Sequence, residues 1–491
     1  MTVEQSRFLC TSLEENMAVI NREIGNSDDF ISRDMTVCGF DFCCLTMENL
    51  CDKQQIEQQI IRRLMSVKSL PKNGKQRFEA VESGICASPD QKKVQNIDEL
   101  YRLIMSGWAA LLFDGCDSAL CIGVQDTPTR SITEPGSEIS ERGSEEGFSE
   151  ILRNNMAMVR RRMKTKDLKF EIMTLGDKSR TDIALCYMEH SVDSDILEKV
   201  RKRLFEVEID AVLDSGYLVP FLDTKTPSLF PSVGVTERPD TLCGKILEGR
   251  IGILVDGTPY ALTVPLLFSE HFQSPDDYTL SPFFATFIRC LKYLSFILAV
   301  LVSGTYVAIC EHNPELFPAA ILHKVFDSGI VTPFPNMWEA LIIHVIYEIM
   351  REAGLRLPKS VGHAVSIVGG LVIGEAAVTA GLIGAPMVIV VATTALASYV
   401  VPTLYYPCAL LRFAGIFIGG LCGTTGMVLF AAVIVTAVCG HNVYGVPLSA
   451  PVSPFDKSSV RDTLLRQSWR TLAKRTAKIQ KLHGSKEEDA R

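Results

Sequence analysis

From Phe287 to Gly440 the chain is dominated by apolar runs long enough to cross a bilayer, and no other feature limits its fold as strongly. Tyr293 to Cys310 supplies about 18 apolar residues behind Arg289 and Lys292, cations suited to the headgroup layer. Ala364 to Ile383 and Met387 to Val401 follow, joined only by Gly384-Ala385-Pro386, which predicts a tight antiparallel hairpin. Ala409 to Cys439 is about 30 residues, more than one crossing needs, so it is expected to tilt or project beyond the lipid. Between the first and second runs, NMWEALIIHVIYEIMREAG carries Glu339, His344, Glu348, Arg351 and Glu352 in a helical pattern. Burying all of these in lipid is expensive, which favours an amphipathic helix on the membrane surface over a span.

The remainder is soluble in character. The whole chain is 47% hydrophobic with mean hydropathy +0.19, yet 22% charged, and the charges concentrate outside residues 293–440. Helix, strand and hairpin patterns alternate up to about Tyr278, with turn signals at Asp114-Gly115 and Asp256-Gly257. The run MTVCGFDFCCLTM (35–47) reads as a strand, and residues 126–147 as a connecting loop. No internal sequence repeat stands out. The fifteen cysteines are spread over the chain without a CxxC and suit reduced, buried packing. No metal site is assigned to Cys38, Cys43 and Cys44.

The expected fold is an α/β cytosolic region of two subdomains, then an all-α transmembrane bundle of about four spans plus an interfacial amphipathic helix. The expected units are 1–125, the loop 126–147, 148–286, a transmembrane domain 287–440 and a basic tail 441–491. Four crossings place both termini on one side. Residues 452–491 hold ten Lys or Arg against five Asp or Glu, which marks that side as cytoplasmic, and the acidic, polar first 50 residues carry no signal-peptide pattern.

Several motifs narrow the choice: Arg130-Ser131-Ile132-Thr133-Glu134-Pro135, GSEEGF ending at Phe148, Thr236-Glu237-Arg238-Pro239-Asp240, LEGRIGILVDGTPYAL from Leu247, Asp276-Asp277-Tyr278, REAGLRLP from Arg351 and SIVGGLVIGEAAVTAGL from Ser366. In this order, over roughly residues 12 to 470, the chain strongly resembles the A subunit of GerA-type spore germinant receptors. One departure is Glu145, where the family's usual GPREGF stretch has arginine. The resemblance implies a multi-pass protein of the inner spore membrane acting with a transporter-like B subunit and a lipoprotein C subunit. It further implies a ring of A subunits with a path for monovalent cations through the membrane domain.

Within Ala364–Ile383, Ser366, Gly370, Gly374, Ala377 and Gly381 form a small-residue stripe for helix packing, and Gly415, Gly419 and Gly423 repeat the device in the last run. Val365, Val368, Val372, Glu375 and Thr379 mark a second face. In a ring of about five copies this face would line an axis, the valines gating by dewetting and Glu375 favouring cations. Otherwise Glu375 is protonated or bonded to a neighbouring helix and the valines touch lipid. Both alternatives stand on the sequence. Arg130, Glu134, Glu237, Arg238 and Asp240 suit structural ion pairing between the subdomains, with Glu134 or Asp256 as partner to Arg238. The Arg160-Arg161-Arg162 run suits a solvated or subunit-facing surface, and the tail from Lys457 to Lys481 the anionic leaflet. Walker, Rossmann, HExxH and GxSxG patterns are absent, so no catalytic residue, cofactor or nucleic-acid partner is assigned.

Overall fold

The computed structural model describes residues 7–472 apart from 87, 127–134, 137, 139, 141, 224–227, 320–321, 324, 326–331, 359–371, 373 and 456–459. The soluble region holds two five-stranded antiparallel sheets. In the first, β1 (Phe30–Val37), β2 (Phe40–Met47), β3 (Gln91–Val94), β4 (Trp108–Phe113) and β5 (Ala119–Gly123) run in the order β1-β2-β4-β5-β3. In the second, β6 (Leu168–Leu175), β7 (Thr181–Met188), β8 (Gly234–Thr236), β9 (Ile251–Val255) and β10 (Ala261–Val264) run β6-β7-β9-β10-β8, the same order within the unit.

Helices α1 (Leu13–Glu23) and α2 (Ile97–Ile104) belong to the first unit, and α3 (Leu152–Arg162), α4 (Ser194–Phe205) and α5 (Pro239–Leu247) to the second. In each unit one helix precedes the first strand and another lies between the third and fourth. The chain therefore repeats one topology twice. No sequence repeat reveals it; the strand order and helix placement carry the likeness.

Local chemistry sets these elements. Asn96 and Asp193 cap α2 and α4, their side chains accepting two backbone amides each. The run 35–47 is not one strand. Cys38 and Gly39 take φ of 52° and 79°, and this two-residue turn closes the β1–β2 hairpin. Pleating then sends Cys43 and Cys44 into separate cores on the two faces of the sheet.

Beyond the sheets lie α6 (Pro282–His312), α7 (Asn336–Arg356), α8 (Ala385–Val400) and α9 (Tyr405–Gly440). α6 and the stretch Pro402–Gly440 are long and apolar enough to cross a membrane, and α8 is a shorter apolar helix. α9 is not a straight overlong rod. At Gly423 the backbone leaves helical geometry (φ 65°, ψ −157°), and the two limbs fold back on each other. A Cβ on Gly415 would lie 3.2 Å from Phe430, fifteen residues on, a separation of roughly 22 Å in a straight helix. The expected single tilted segment is thus corrected to a helical hairpin.

Contacts at the two ends fix the directions. Far from the sheets, His312 bonds the Gly420 carbonyl at 2.8 Å, Thr424 donates to Asn313 and the Met337 amide donates to Glu311. Near the sheets, His271 bonds Thr403, and Glu348 of α7 accepts from Tyr405 and Arg412. So α6 leads away from the sheets, α7 and α8 return, and α9 goes out and back.

α7 does not have the orientation of a surface-lying helix. Trp338, Ile342, Val345 and Ile349 are exposed, whereas Glu339 and His344 are buried and Glu348 and Arg351 engage α9. Periodicity located its polar face correctly but could not say which medium that face would meet. In the structure that face turns inward among the neighbouring helices.

The chain after α9 returns to the second unit. Tyr444 donates to the Leu222 carbonyl at 2.6 Å, and Asp462 pairs with Arg289 at 3.0 Å. The tail is therefore fastened to protein as far as Trp469, whose indole N–H donates to the Tyr278 carbonyl. Most of the basic residues beyond it lie outside the described residues.

Candidate functional site

The helical residues 374–379 and the turn after them face α7. Val372 is 56% exposed, and Glu375 and Thr379 are also exposed, at the three- and four-residue spacing that shares one helical side. A Cβ on Gly374 would meet no described atom within 4 Å. Between this segment and α7 runs an apolar groove of about 420 Å³ lined by Ile342, Ile346, Val372, Ala376 and Ala380, with Glu339 the only acid among the described lining residues. The turn closes through Gly381 (φ 66°), and Glu339 then accepts the Gly384 amide at 2.5 Å, holding the start of α8. Val365, Val368 and Gly370 lie outside the described residues, as do Ser366, Arg130 and Glu134.

The glycines of α9 are placed differently. Gly415 and Gly419 lie against Gly304 of α6: a Cβ on Gly304 would sit 2.5 Å from the Gly415 carbonyl oxygen, and one on Gly419 would collide with the carbonyl of Gly304. Gly423 serves the chain reversal, which requires positive φ.

Inside the bundle, polar groups bond one another. His344 Nδ1 lies 2.7 Å from the Ala340 carbonyl, which assigns the proton to that nitrogen; Nε2 then accepts from Ser303 at 3.1 Å, with Thr394 at 3.4 Å. Toward the sheets, Glu348 accepts from fully buried Arg412 at 3.0 Å and from Tyr405 at 2.9 Å, and Arg351 pairs with it at 3.0 Å. Sequence reasoning missed Ser303, Thr394 and Arg412. An arginine inside an apolar run was the available signal.

In the soluble region, Arg238 pairs with Asp240 at 2.7 Å and donates to the carbonyls of Glu138 and Ser144, pinning the connecting loop to the second unit. The Glu237 amide donates to the Glu138 carboxylate. Asp256 is not the partner of Arg238. It accepts the Leu152 amide and caps α3. Nor is Arg160 a surface residue: it is 1% exposed and grips Asp29 at 2.8 and 2.9 Å, joining the two sheet units, while Arg161 and Arg162 pair with Glu146. At the junction with the helices, burial pushes His271 down to about 4.

The family model described as Bacillus/Clostridium GerA spore germination protein matches residues 18–478. The chain belongs to the GerA spore germination protein family. It is 36% identical to spore germination protein KA of Bacillus subtilis (strain 168) across 97% of this chain and 88% of that one. Spore germination protein B1 of the same organism is 32% identical across 93% of this chain and 95% of its own. Among solved structures, the N-terminal domain of the A subunit of the Bacillus megaterium spore germinant receptor GerK3 is 31% identical, covering 54% of this chain and 99% of that one with a TM-score of 0.43. Within this GerA-family chain, the residue that departs from the usual motif, Glu145, is exposed, and its neighbour Glu146 takes both Arg161 and Arg162.

Proposed function

We propose that this chain is the A subunit of a nutrient-responsive spore germinant receptor and assembles with copies of itself into a gated ion channel. The division is 1–125, 126–147, 148–286, 287–440 and 441–491, with the soluble units and the tail on the cytosolic side of the inner spore membrane. The membrane part makes six passes rather than four: α6, α7, the segment ending at residue 383, α8 and the two limbs of α9. An even number keeps both ends on one side, in keeping with the return of residues 441–469 to the second sheet unit.

One observation carries the channel reading. Glu339, Glu348, Arg351 and Arg412 turn inward, while Glu375 is exposed beside exposed Val372 and Thr379. An ionised carboxylate facing lipid costs several kcal/mol. A ring of about five copies turns that face to a shared axis, with Val372 as an apolar constriction and Glu375 favouring monovalent cations. The partners are the transporter-like B subunit, where the nutrient binds, the lipoprotein C subunit and membrane lipid. Arg238, Asp240 and Glu237 hold the soluble region in shape for assembly.

The second reading is a scaffold that couples a nutrient-sensing partner to another effector without conducting. Cysteine accessibility scanning over residues 365–379 in the assembled complex, before and after nutrient, separates the two. Labelling restricted to one side and altered by nutrient is the channel result. Uniform or nutrient-insensitive labelling favours the scaffold.

A further inference from the structure

The segment that follows α9 has two unlike sides. Its polar side is fastened to protein. Arg289, fully buried in the third turn of α6, pairs with Asp277 at 2.8 Å and with Asp462 at 3.0 Å, and also donates to the Asp462 carbonyl at 2.5 Å. Tyr278 donates to the Asp462 carboxylate, Gln273 to the Asp462 carbonyl, and the Arg466 amide to Thr286 of α6. Three parts of the chain thus meet on one guanidinium: the second sheet unit, the start of α6 and the segment after the last helix. The other side is apolar and open. Leu464, Leu465 and Trp469 are 43%, 53% and 58% exposed, beside a helix start whose Phe283, Phe284 and Phe287 are 90%, 50% and 60% exposed.

We propose that residues 460–469 form an interfacial strap, seated in the cytosolic leaflet together with the first turns of α6. The occupant of this apolar side is lipid, because the patch continues the outward face of a helix long and apolar enough to cross the membrane. Trp469 suits this position: its indole N–H is bonded to the Tyr278 carbonyl and its ring is open, an amphipathic arrangement typical of the bilayer boundary. The strap is held to lipid by apolar and aromatic burial rather than by the cationic attraction its sequence suggested. Arg466 is buried and engaged with the Tyr278 carbonyl and the Trp469 ring, so it is not free for headgroups. Asp462 is the positioning residue: without its carboxylate the buried Arg289 keeps Asp277 but holds the strap only through backbone carbonyls, and the Tyr278 hydroxyl loses its acceptor.

The test uses the full chain in vesicles of phosphatidylcholine and phosphatidylglycerol, with Trp108 and Trp338 replaced by Phe so that Trp469 reports alone. The expected result is blue-shifted Trp469 emission, quenched several-fold more by lipids brominated near the headgroup end of the acyl chain than by lipids brominated near its terminus, and unchanged between low and high salt. Asp462→Ala loosens the strap, moving emission to the red and weakening quenching, with the chain still membrane-inserted. A water-like emission spectrum without quenching overturns the proposal. Quenching abolished by salt also overturns it, as that is the result for a charge-held tail. None of these readouts depends on ion conduction.

Discussion

Two helical regions of this molecule carry the same sequence signal, a stripe of small residues every three to four positions, and meet different fates. In α9 the stripe is closed within the chain, with Gly415 and Gly419 pressed on the backbone of α6 at Gly304. In the segment around Gly374, no described atom would meet an added Cβ, and the adjacent Val372 and Glu375 are exposed. Small residues permit close approach but do not name the partner. The stripe in α9 is filled within the chain, whereas Gly374 has room for a partner in the proposed assembly.

Substitutions at matched positions sharpen that contrast. Gly419→Leu forces a side chain into the Gly304 carbonyl and costs upward of ~3 kcal/mol, so the protein is lost from membranes several-fold or more on immunoblots. Gly374→Leu leaves abundance near wild type while altering nutrient response. Equal loss in both variants would erase the distinction.

The soluble region offers its own closed contact. Arg160→Ala leaves Asp29 buried without its partner and is expected to cost about 3 kcal/mol, read as a lowered unfolding temperature of the purified chain. If Arg160 were the solvated residue its sequence suggested, the shift would be near zero.

A smaller effect is expected at the junction. His271 is held at about 4, below its ordinary 6.5, mainly by burial, so the unfolded chain binds more protons between those values. Its contribution is complete above pH 6.5 and is lost as pH falls toward 4, by at most about 3 kcal/mol. His271→Gln should flatten that part of the stability profile, and an unchanged slope would assign the loss to other groups.

The smallest effect belongs to the open side. In the proposed ring Val372→Ala trims the apolar constriction, so spores should respond at several-fold lower nutrient and leak ions slightly at rest. Unaltered ion retention and threshold would place the gate elsewhere.

Much of the fold was legible because its causes are local. Asp114-Gly115 and Asp256-Gly257 signalled their turns, with Gly115 and Gly257 at φ 81° and 88°. Apolar length located α6 and α8. Other features depended on surroundings that sequence does not state. Gly423 looked like one more packing residue, yet its positive φ reverses the chain. Arg160 sat in a basic run and was buried by a partner 131 residues away. The polar face of α7 was evident, but its direction depended on the helices packed against it. At the candidate site, the shared side of Val372, Glu375 and Thr379 was legible from spacing, and all three are exposed. The groups that hold the neighbouring helices, Ser303, Thr394 and Arg412, were not, since their roles come from contacts between segments far apart in sequence.

The most direct measurement is single-cysteine labelling at positions 372, 375 and 379 in the assembled receptor, with a charged, membrane-impermeant thiol reagent and the exposed native cysteines replaced. A water-lined path between subunits predicts labelling at 375 and 379 at rest and a marked rise at 372 after nutrient, with position 389 on the exposed side of α8 staying unlabelled throughout. No labelling at 372, 375 or 379 in either state would contradict that path.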